Sequence, residues 1–387
     1  MPHIKLSNLQ NINYPILQDG VKFKYEAVSE HESLIAVTIE NKNFFLTKTF
    51  KKSSYLIKYE KSTRISPISY IIKALNSYHK VTNSELIFSN LNINMPHESL
   101  ENSYLKDIEF FLKNNWNNNL DVLIEIGFGS GRHLLHQAKQ NPNKLIIGIE
   151  IHKTSIEKVL KQLELQNITN VLILDFDARI FLELLQSQLA SKIFVHFPVP
   201  WDKKAHRRVF SETFLNEALR VLKKDGTLEL RTDSKEYFDY SLEIALTQNR
   251  ANISIFKNQD IEISSKYEDR WKRFNKDIYD LTVKNCFESK NKENFTNFEF
   301  DFFVNTDNLE EKISSYSKNV EEFLLTFYKL YKIGTKDYLL KVTMGDFNMP
   351  QTKYIEIINN KAIYFDKFPI ASSATIKAHN RIKEILS

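Results

Sequence analysis

At 387 residues the chain is longer than a single core usually fills, so two or three domains are expected. With 42% hydrophobic and 26% charged residues it has the make-up of folded domains, and a formal charge of +5 implies no nucleic-acid partner unless the positive residues cluster. The single cysteine, Cys286, excludes an internal disulfide framework and a cysteine zinc cluster and fits a cytoplasmic protein. The N-terminal stretch lacks the basic-then-apolar pattern of a secretory signal, and no run of about 18 apolar residues would span a membrane.

In chain order, residues 1–104 alternate short β-prone runs with polar breaks: "FKYEAVS", "SLIAVTIENKNFFLTKTF" and "SYLIKYE". They predict a β-rich N-terminal extension of small antiparallel strands, with "ISYIIKALNSYH" (69–79) as a helix at its edge. Residues 105–288 repeat strand, turn and helix. The strands are "VLIEI" (122–126), "KLIIGIE" (144–150), "VLILD" (171–175), "KIFVHF" (192–197) and "TLELRT" (227–232). "ISIF" (253–256) and "YDLTVKNCF" (279–287) follow as a closing pair. Such alternation predicts an α/β domain with a mostly parallel sheet and helices on both faces. Residues 289–387 begin in a polar stretch; "VEEFLLTFYKLYKI" (320–333) reads as a helix. "YLLKVTM" and "KYIEII" read as strands and "TIKAHNRIKEIL" as a last helix, making a small α+β piece. No internal repeat is visible.

The first strand of the middle region runs into "EIGFGSG", with Gly127, Gly129 and Gly131 between strand and helix. Glycines there allow a tight turn and close approach of a ligand, though structural turns use them too. The third glycine comes one residue too early for the dinucleotide pattern, and Glu125 before the loop would repel a pyrophosphate. A cationic adenosyl ligand, S-adenosylmethionine, suits the loop better. The second strand ends in Glu150, 23 positions after Gly127, near the offset at which an acid meets ribose hydroxyls. The third is followed by "DFDA", offering Asp175 or Asp177 to an adenine amino group. Singly, each acid serves equally well as a loop or cap residue. At three successive strand ends beside a glycine loop, they favour an adenosyl ligand.

The fourth strand runs into "PVPWDKKAHRR". Pro198 and Pro200 stiffen the loop, Trp201 offers a flat apolar face, and Lys203, Lys204, His206, Arg207 and Arg208 crowd into six positions. The plain alternative is a basic start to a surface helix, which the helix dipole disfavours. Basic groups beside an aromatic on a crevice rim suit a phosphate backbone, with Lys204, Arg207 and Arg208 toward the phosphates.

These motifs resemble, in order, those of the bacterial tRNA (guanine-N7)-methyltransferases: "EIGFGSG" (125–131), "GIEIH" (148–152), "DA" (177–178), "FPVPWDKKAHRR" (197–208), "RTD" (231–233) and "SKYEDR" (265–270). The likeness covers about 105–288, and the flanking zones inherit nothing from it. It implies a Rossmann-like S-adenosylmethionine-dependent methyltransferase domain with a mostly parallel seven-stranded sheet. It also implies cofactor contacts from Glu125, Gly127, Gly129, Glu150 and Asp177. Substrate contacts would come from Lys203, Asp233, Ser265, Lys266, Tyr267 and Glu268; spacing alone lets Asp233 equally be a helix cap. The family's aspartate between the two prolines is Val199 here. Asp202 is the candidate to supply negative charge in its place.

The expected function is methyl transfer from S-adenosylmethionine to N7 of a guanine in tRNA, in the variable loop, by a cytoplasmic enzyme without a metal. The alternatives are a weak or silent tRNA-binding protein, marked by Val199, and a methyltransferase for another RNA site. The sequence does not decide between monomer and homodimer.

Overall fold

A computed structural model of the chain describes residues 1–63, 65–91, 103–113, 115–261, 276–292, 297–314, 317–320 and 322–387. They fall into two units, Met1–Ser99 with Phe295–Ser387, and Leu100–Asn294. The three consecutive pieces expected from the sequence are thus two, because the N- and C-terminal pieces share one sheet.

In the N-terminal half of that shared unit, β1 (His3–Ser7), β2 (Ile16–Gln18), β3 (Val21–Val28), β4 (Ser33–Ile39), β5 (Lys42–Lys51) and β6 (Ser54–Tyr59) precede α1 (Ser69–Val81) and β7 (Glu85–Ser89). Strand β1 alternates buried Ile4 and Leu6 with outward His3, Lys5 and Ser7, the pattern of a sheet with one covered face. Helix α1 supplies the cover. It buries Ile71, Ala74, Leu75 and Tyr78, one helical face, against Phe23, Ile35, Val37, Phe44 and Ile57.

The middle unit contains β8 (Leu105–Lys106), α2 (Ile108–Phe111), β9 (Asp121–Ile126), α3 (Arg132–Gln140), β10 (Lys144–Ile149), α4 (Lys153–Leu165) and β11 (Val171–Leu174). It continues with α5 (Ala178–Leu184), β12 (Ala190–His196), α6 (Glu212–Val221), β13 (Leu222–Thr232), α7 (Lys235–Leu246), β14 (Ala251–Lys257) and β15 (Tyr279–Asn285). The sheet order is β14-β15-β13-β12-β9-β10-β11-β8. Among the described residues it has eight strands where seven were expected, the two-residue β8 being added beyond β11. Among the described strands only β15 runs against the rest. Strands β9 and β10 are buried almost throughout, as covered parallel strands must be. The chain winds outward from β9 through β10 to β11, then crosses back to β12 on the other side of β9. That reversal opens a crevice beyond the C-terminal ends of β9 and β12.

The C-terminal half of the shared unit holds α8 (Leu309–Ser314), β16 (Ser317–Val320), β17 (Phe323–Ile333), β18 (Asp337–Gly345), β19 (Pro350–Ile358), β20 (Lys361–Tyr364) and α9 (Ser373–Leu386). The helix expected over 320–333 is largely the strand β17. A bulge between Phe327 and Lys329 breaks its alternation, so the apolar residues mimic helical spacing. Pairing with β18 and β3 then decides the conformation. Four strands in series followed by a packed helix occur in both halves, β3–β6 with α1 and β17–β20 with α9, without sequence repetition. Strands β3 and β17 join the halves through Lys332–Val28 and Ile333–Ala27. Leu34, Ala36 and Phe45 bury against Tyr331, Leu339, Tyr354 and Phe365, on the face of β4 and β5 away from α1.

Candidate active site

The glycine loop leaves β9 at the crevice. Gly127, Gly129 and Gly131 have φ of +69°, +51° and +72°. At Gly131 a Cβ would lie 2.3 Å from Val159 Cγ2, so this glycine lets the loop press on α4. At Gly127 nothing lies within 4 Å of where a Cβ would be, and the backbone faces open space. The loop is tied to the next strand: Gly127 N–H donates to Ile149 O at 2.8 Å, and Gly129 N–H to Glu150 Oε2 at 3.0 Å. Glu150 Oε1 accepts from the N–H groups of Ile151 and His152 at 2.9 and 3.0 Å. A carboxylate offers about four acceptor positions, so one is left on Oε2.

Glu125 is 3% exposed. Its Oε2 is 2.8 Å from His133 Nδ1. His133 Nε2 meets Gln137 Nε2 at 3.2 Å, and Gln137 Oε1 accepts from Asn141 Nδ2 at 3.3 Å. Asn141 orients the amide, the amide donates to Nε2, and His133 must therefore carry its proton on Nδ1 toward Glu125. Residues 133, 137 and 141 recur at helical spacing along α3 and its C-cap, a rail that sets one imidazole tautomer. The sequence reading missed it, although the four-residue spacing was there to be read. His196, at the end of β12, lies with its ring centroid 4.4 Å from that of His133. Burial, with His133, Arg231 and Lys192 nearby, pushes the His196 imidazole well below its ordinary range, so it is neutral at pH 7.

Asp177 is the N-cap of α5, accepting from Arg179 N–H at 2.9 Å, and it also pairs with the Arg179 side chain at 3.0 and 2.5 Å. Asp175 is exposed.

Across the crevice, the basic loop is held in an unusual backbone shape. Phe197 and Trp201 adopt φ of +49° and +47°, which bulky residues avoid unless the surroundings impose it. Phe197 N–H donates to Arg231 O at 2.7 Å. Arg208 is 3% exposed; its Nε donates to Pro200 O at 2.8 Å and its Nη2 to Glu236 Oε1 at 3.0 Å. Its guanidinium also lies 4.8 Å from the Tyr240 ring centroid. Arg208 therefore clamps the loop from inside, and the expectation that it faces phosphates is corrected: its guanidinium is buried and bonded within the protein. Lys203, Lys204, His206 and Arg207 are exposed, with Arg207 5.2 Å from the Trp201 ring. No α-helix starts here, only a short 3₁₀ turn (Ala205–Arg207). Val199 and the Asp202 side chain are each 61% exposed, and Asp202 Oδ1 is 4.0 Å from Arg208 Nη2.

The helix α7 is capped by Ser234, whose side chain accepts from Tyr237 N–H. Asp233 is thus not the cap; its Oδ2 accepts from Lys276 Nζ at 3.2 Å. Ser265, Lys266, Tyr267 and Glu268 lie outside the described residues. Among the described residues no three His, Cys, Asp or Glu side chains come together as metal ligands would. No helix among them is long and apolar enough to cross a membrane.

Residues 118–281 match a family model described as "Putative methyltransferase". The chain is 42% identical to the tRNA (guanine-N(7)-)-methyltransferase of Wolinella succinogenes and 43% identical to that of Helicobacter hepaticus, all of both chains being covered in each case. It is 37% identical to the enzyme of that name from Campylobacter fetus subsp. fetus, over 100% of this chain and 99% of the other.

Proposed function

The chain belongs to the tRNA (guanine-N(7)-)-methyltransferases, and on that premise we propose which residues carry methyl transfer from S-adenosylmethionine to N7 of a guanine in the variable loop of a tRNA. One observation carries the residue assignment. An open glycine loop with two carboxylates and a rigid basic loop meet at the crevice where the strand order reverses.

The donor would supply a methyl group on a sulfonium: as the N7 lone pair bonds to that carbon the carbon–sulfur bond breaks, its electron pair stays on sulfur as a neutral thioether, and no proton is removed. Gly127 and Gly129 leave room for its backbone-side approach. Glu125, aimed by His133, faces the donor's positive charge, and Glu150 gives its last acceptor position to a ribose hydroxyl. Asp177 takes the adenine amino group on the lone pairs that Arg179 leaves. Lys203 and Asp233, with the segment 265–268, contact the guanine side, while Lys204 and Arg207 meet phosphates. Arg208 keeps the loop in shape.

Because N7 carries no proton, an aspartate at position 199 is not needed as a general base; alignment and electrostatics suffice. Asp202 adds a weak negative field at most, since it is exposed and stands beside Arg208.

The test is to incubate the full chain with methyl-labelled S-adenosylmethionine and unmodified tRNA, then map the labelled nucleoside. Label as 7-methylguanosine in the variable loop supports the reading. Label at another base, or tRNA bound without label, overturns it.

A further inference from the structure

The face of the N-terminal half that α1 does not cover is open beyond β5. There β5, β6, β1 and β7 lie side by side, and register fixes which side chains share the surface. Lys58 is flanked by Thr47 and His3 in one row; Leu56 is flanked by Thr49 and Lys5 in the next, with Phe88 beyond Lys5; Ser54 is flanked by Lys51 in the third. Ile4, Leu6 and Ile57 point the other way, into the core under α1. The face therefore carries one lysine on each of three adjacent strands, in three successive rows.

Rows two residues apart along a strand are separated by about 6.6 Å. That is of the order of one nucleotide along a sugar–phosphate backbone. Lys5, Lys51 and Lys58 are exposed, and among the described residues none of them makes an ion pair. Other lysines of the same unit are neutralised in place: Lys48 by Glu26, Lys80 by Asp19, Lys329 by Glu32 and Lys341 by Glu60. Phe88 is 47% exposed, stacked on His3 at 5.4 Å, with Lys5 Nζ 6.0 Å from its ring. The acids on this face are Glu85 at its far end, which accepts from Ser7, and Glu60, which Lys341 and Ser62 occupy.

We propose that this face, centred on Lys5, Lys51, Lys58 and Phe88, is a second tRNA-binding surface, contacting the backbone of the substrate RNA outside the catalytic crevice. An array of uncompensated lysines with an exposed ring on an open antiparallel sheet is chemistry for phosphates and an unstacked base. An acidic protein surface would match the charge but not the ring and the row spacing together.

The experiment uses the full chain. The triple variant Lys5→Ala, Lys51→Ala, Lys58→Ala is compared with wild type and with Lys73→Ala, on the outward face of α1, as the control. Binding of an unmodified tRNA transcript is measured across a salt titration. The variant should bind at least tenfold more weakly at low salt, with a log–log salt slope shallower by about two, at 0.7–0.9 per lost phosphate contact. Its affinity for S-adenosylmethionine and its turnover with saturating tRNA should be unchanged, which separates failure of this surface from failure of the catalytic reading. Acetylation footprinting of wild type should show the three lysines protected by tRNA. Full affinity and slope in a folded variant, or no protection, overturn the proposal. So does a dimer that the variant dissociates while tRNA affinity stays the same.

Discussion

The middle unit places Glu125 and Glu150 at the C-terminal ends of parallel strands, whereas the shared N- and C-terminal unit holds Glu356 and Glu32 against tyrosines. Glu356 accepts from Tyr25 at 2.5 Å and Glu32 from Tyr331 at 2.8 Å. Burial pushes the phenols of Tyr25 and Tyr331 far above their ordinary range and raises Glu356 as well. Those acids meet partners within the fold and join its two halves. Glu125 and Glu150 are held by one imidazole and three backbone N–H groups at the rim of a crevice, with an acceptor position to spare. Acids whose partners lie across the interior of a sheet serve the architecture, whereas Glu125 and Glu150, at the C-terminal ends of parallel strands, face the crevice where an open sheet takes its ligand.

The comparison breaks most visibly at Gly131. Gly131→Ala forces a Cβ into Val159 and an L-residue into φ +72°, and should destabilise the middle unit by about 2–5 kcal/mol. Calorimetric scans should show that unit's transition fall while the other stays in place; a single unchanged transition contradicts the packing described here.

Acid sharpens the contrast next. Burial, with a lesser contribution from Lys383, holds His379 in the shared unit down at about 4. Its folded value is depressed, so below about 6.5 the unfolded chain binds a proton that the folded chain refuses. Stability of that unit should therefore fall by roughly 2–4 kcal/mol between pH 6.5 and 4. His379→Phe should flatten the profile in denaturant titrations; an equally steep loss in the variant places the acid sensitivity elsewhere.

A smaller effect tests the rail on α3. His133→Gln removes the Nδ1 donor and should weaken S-adenosylmethionine binding about tenfold, or ~1.4 kcal/mol, near the lower end of the cost of losing a hydrogen bond to a charged group. His133→Asn keeps a donor at that position and should stay within about threefold of wild type. Equal losses in both variants reduce His133 to packing. The smallest change is expected at Val199→Asp, about tenfold or less in single-turnover rate. A gain of a thousandfold would mark the natural chain as an impaired enzyme.

How much of this was legible in the sequence follows from contact range. In the middle unit β9 and β10, β10 and β11, and β12 and β13 are each joined through a nearby helix, so "VLIEI", "KLIIGIE" and "KIFVHF" announced themselves and brought Glu125, Glu150 and the basic loop to one rim. Their order along the chain sufficed. In the other unit β3 pairs with β17 across some 300 residues, and no local pattern reports such a contact. The bulge in β17 disguised a strand as a helix. Within the site, Arg208 looked like one more surface cation, because burial by Tyr237 and Tyr240 depends on α7 packing beside the loop. The cap at Ser234 rather than Asp233 likewise needed backbone geometry.

If the strand-end carboxylates form the cofactor site, Glu150 is the side chain whose loss S-adenosylmethionine should feel first. Titration calorimetry of S-adenosylmethionine into full-length Glu150→Ala should show affinity reduced by about 1.5–3 kcal/mol, roughly 10- to 150-fold, with Glu150→Gln in between. Unchanged affinity in a variant that melts like wild type would contradict the account and move the cofactor away from the glycine loop.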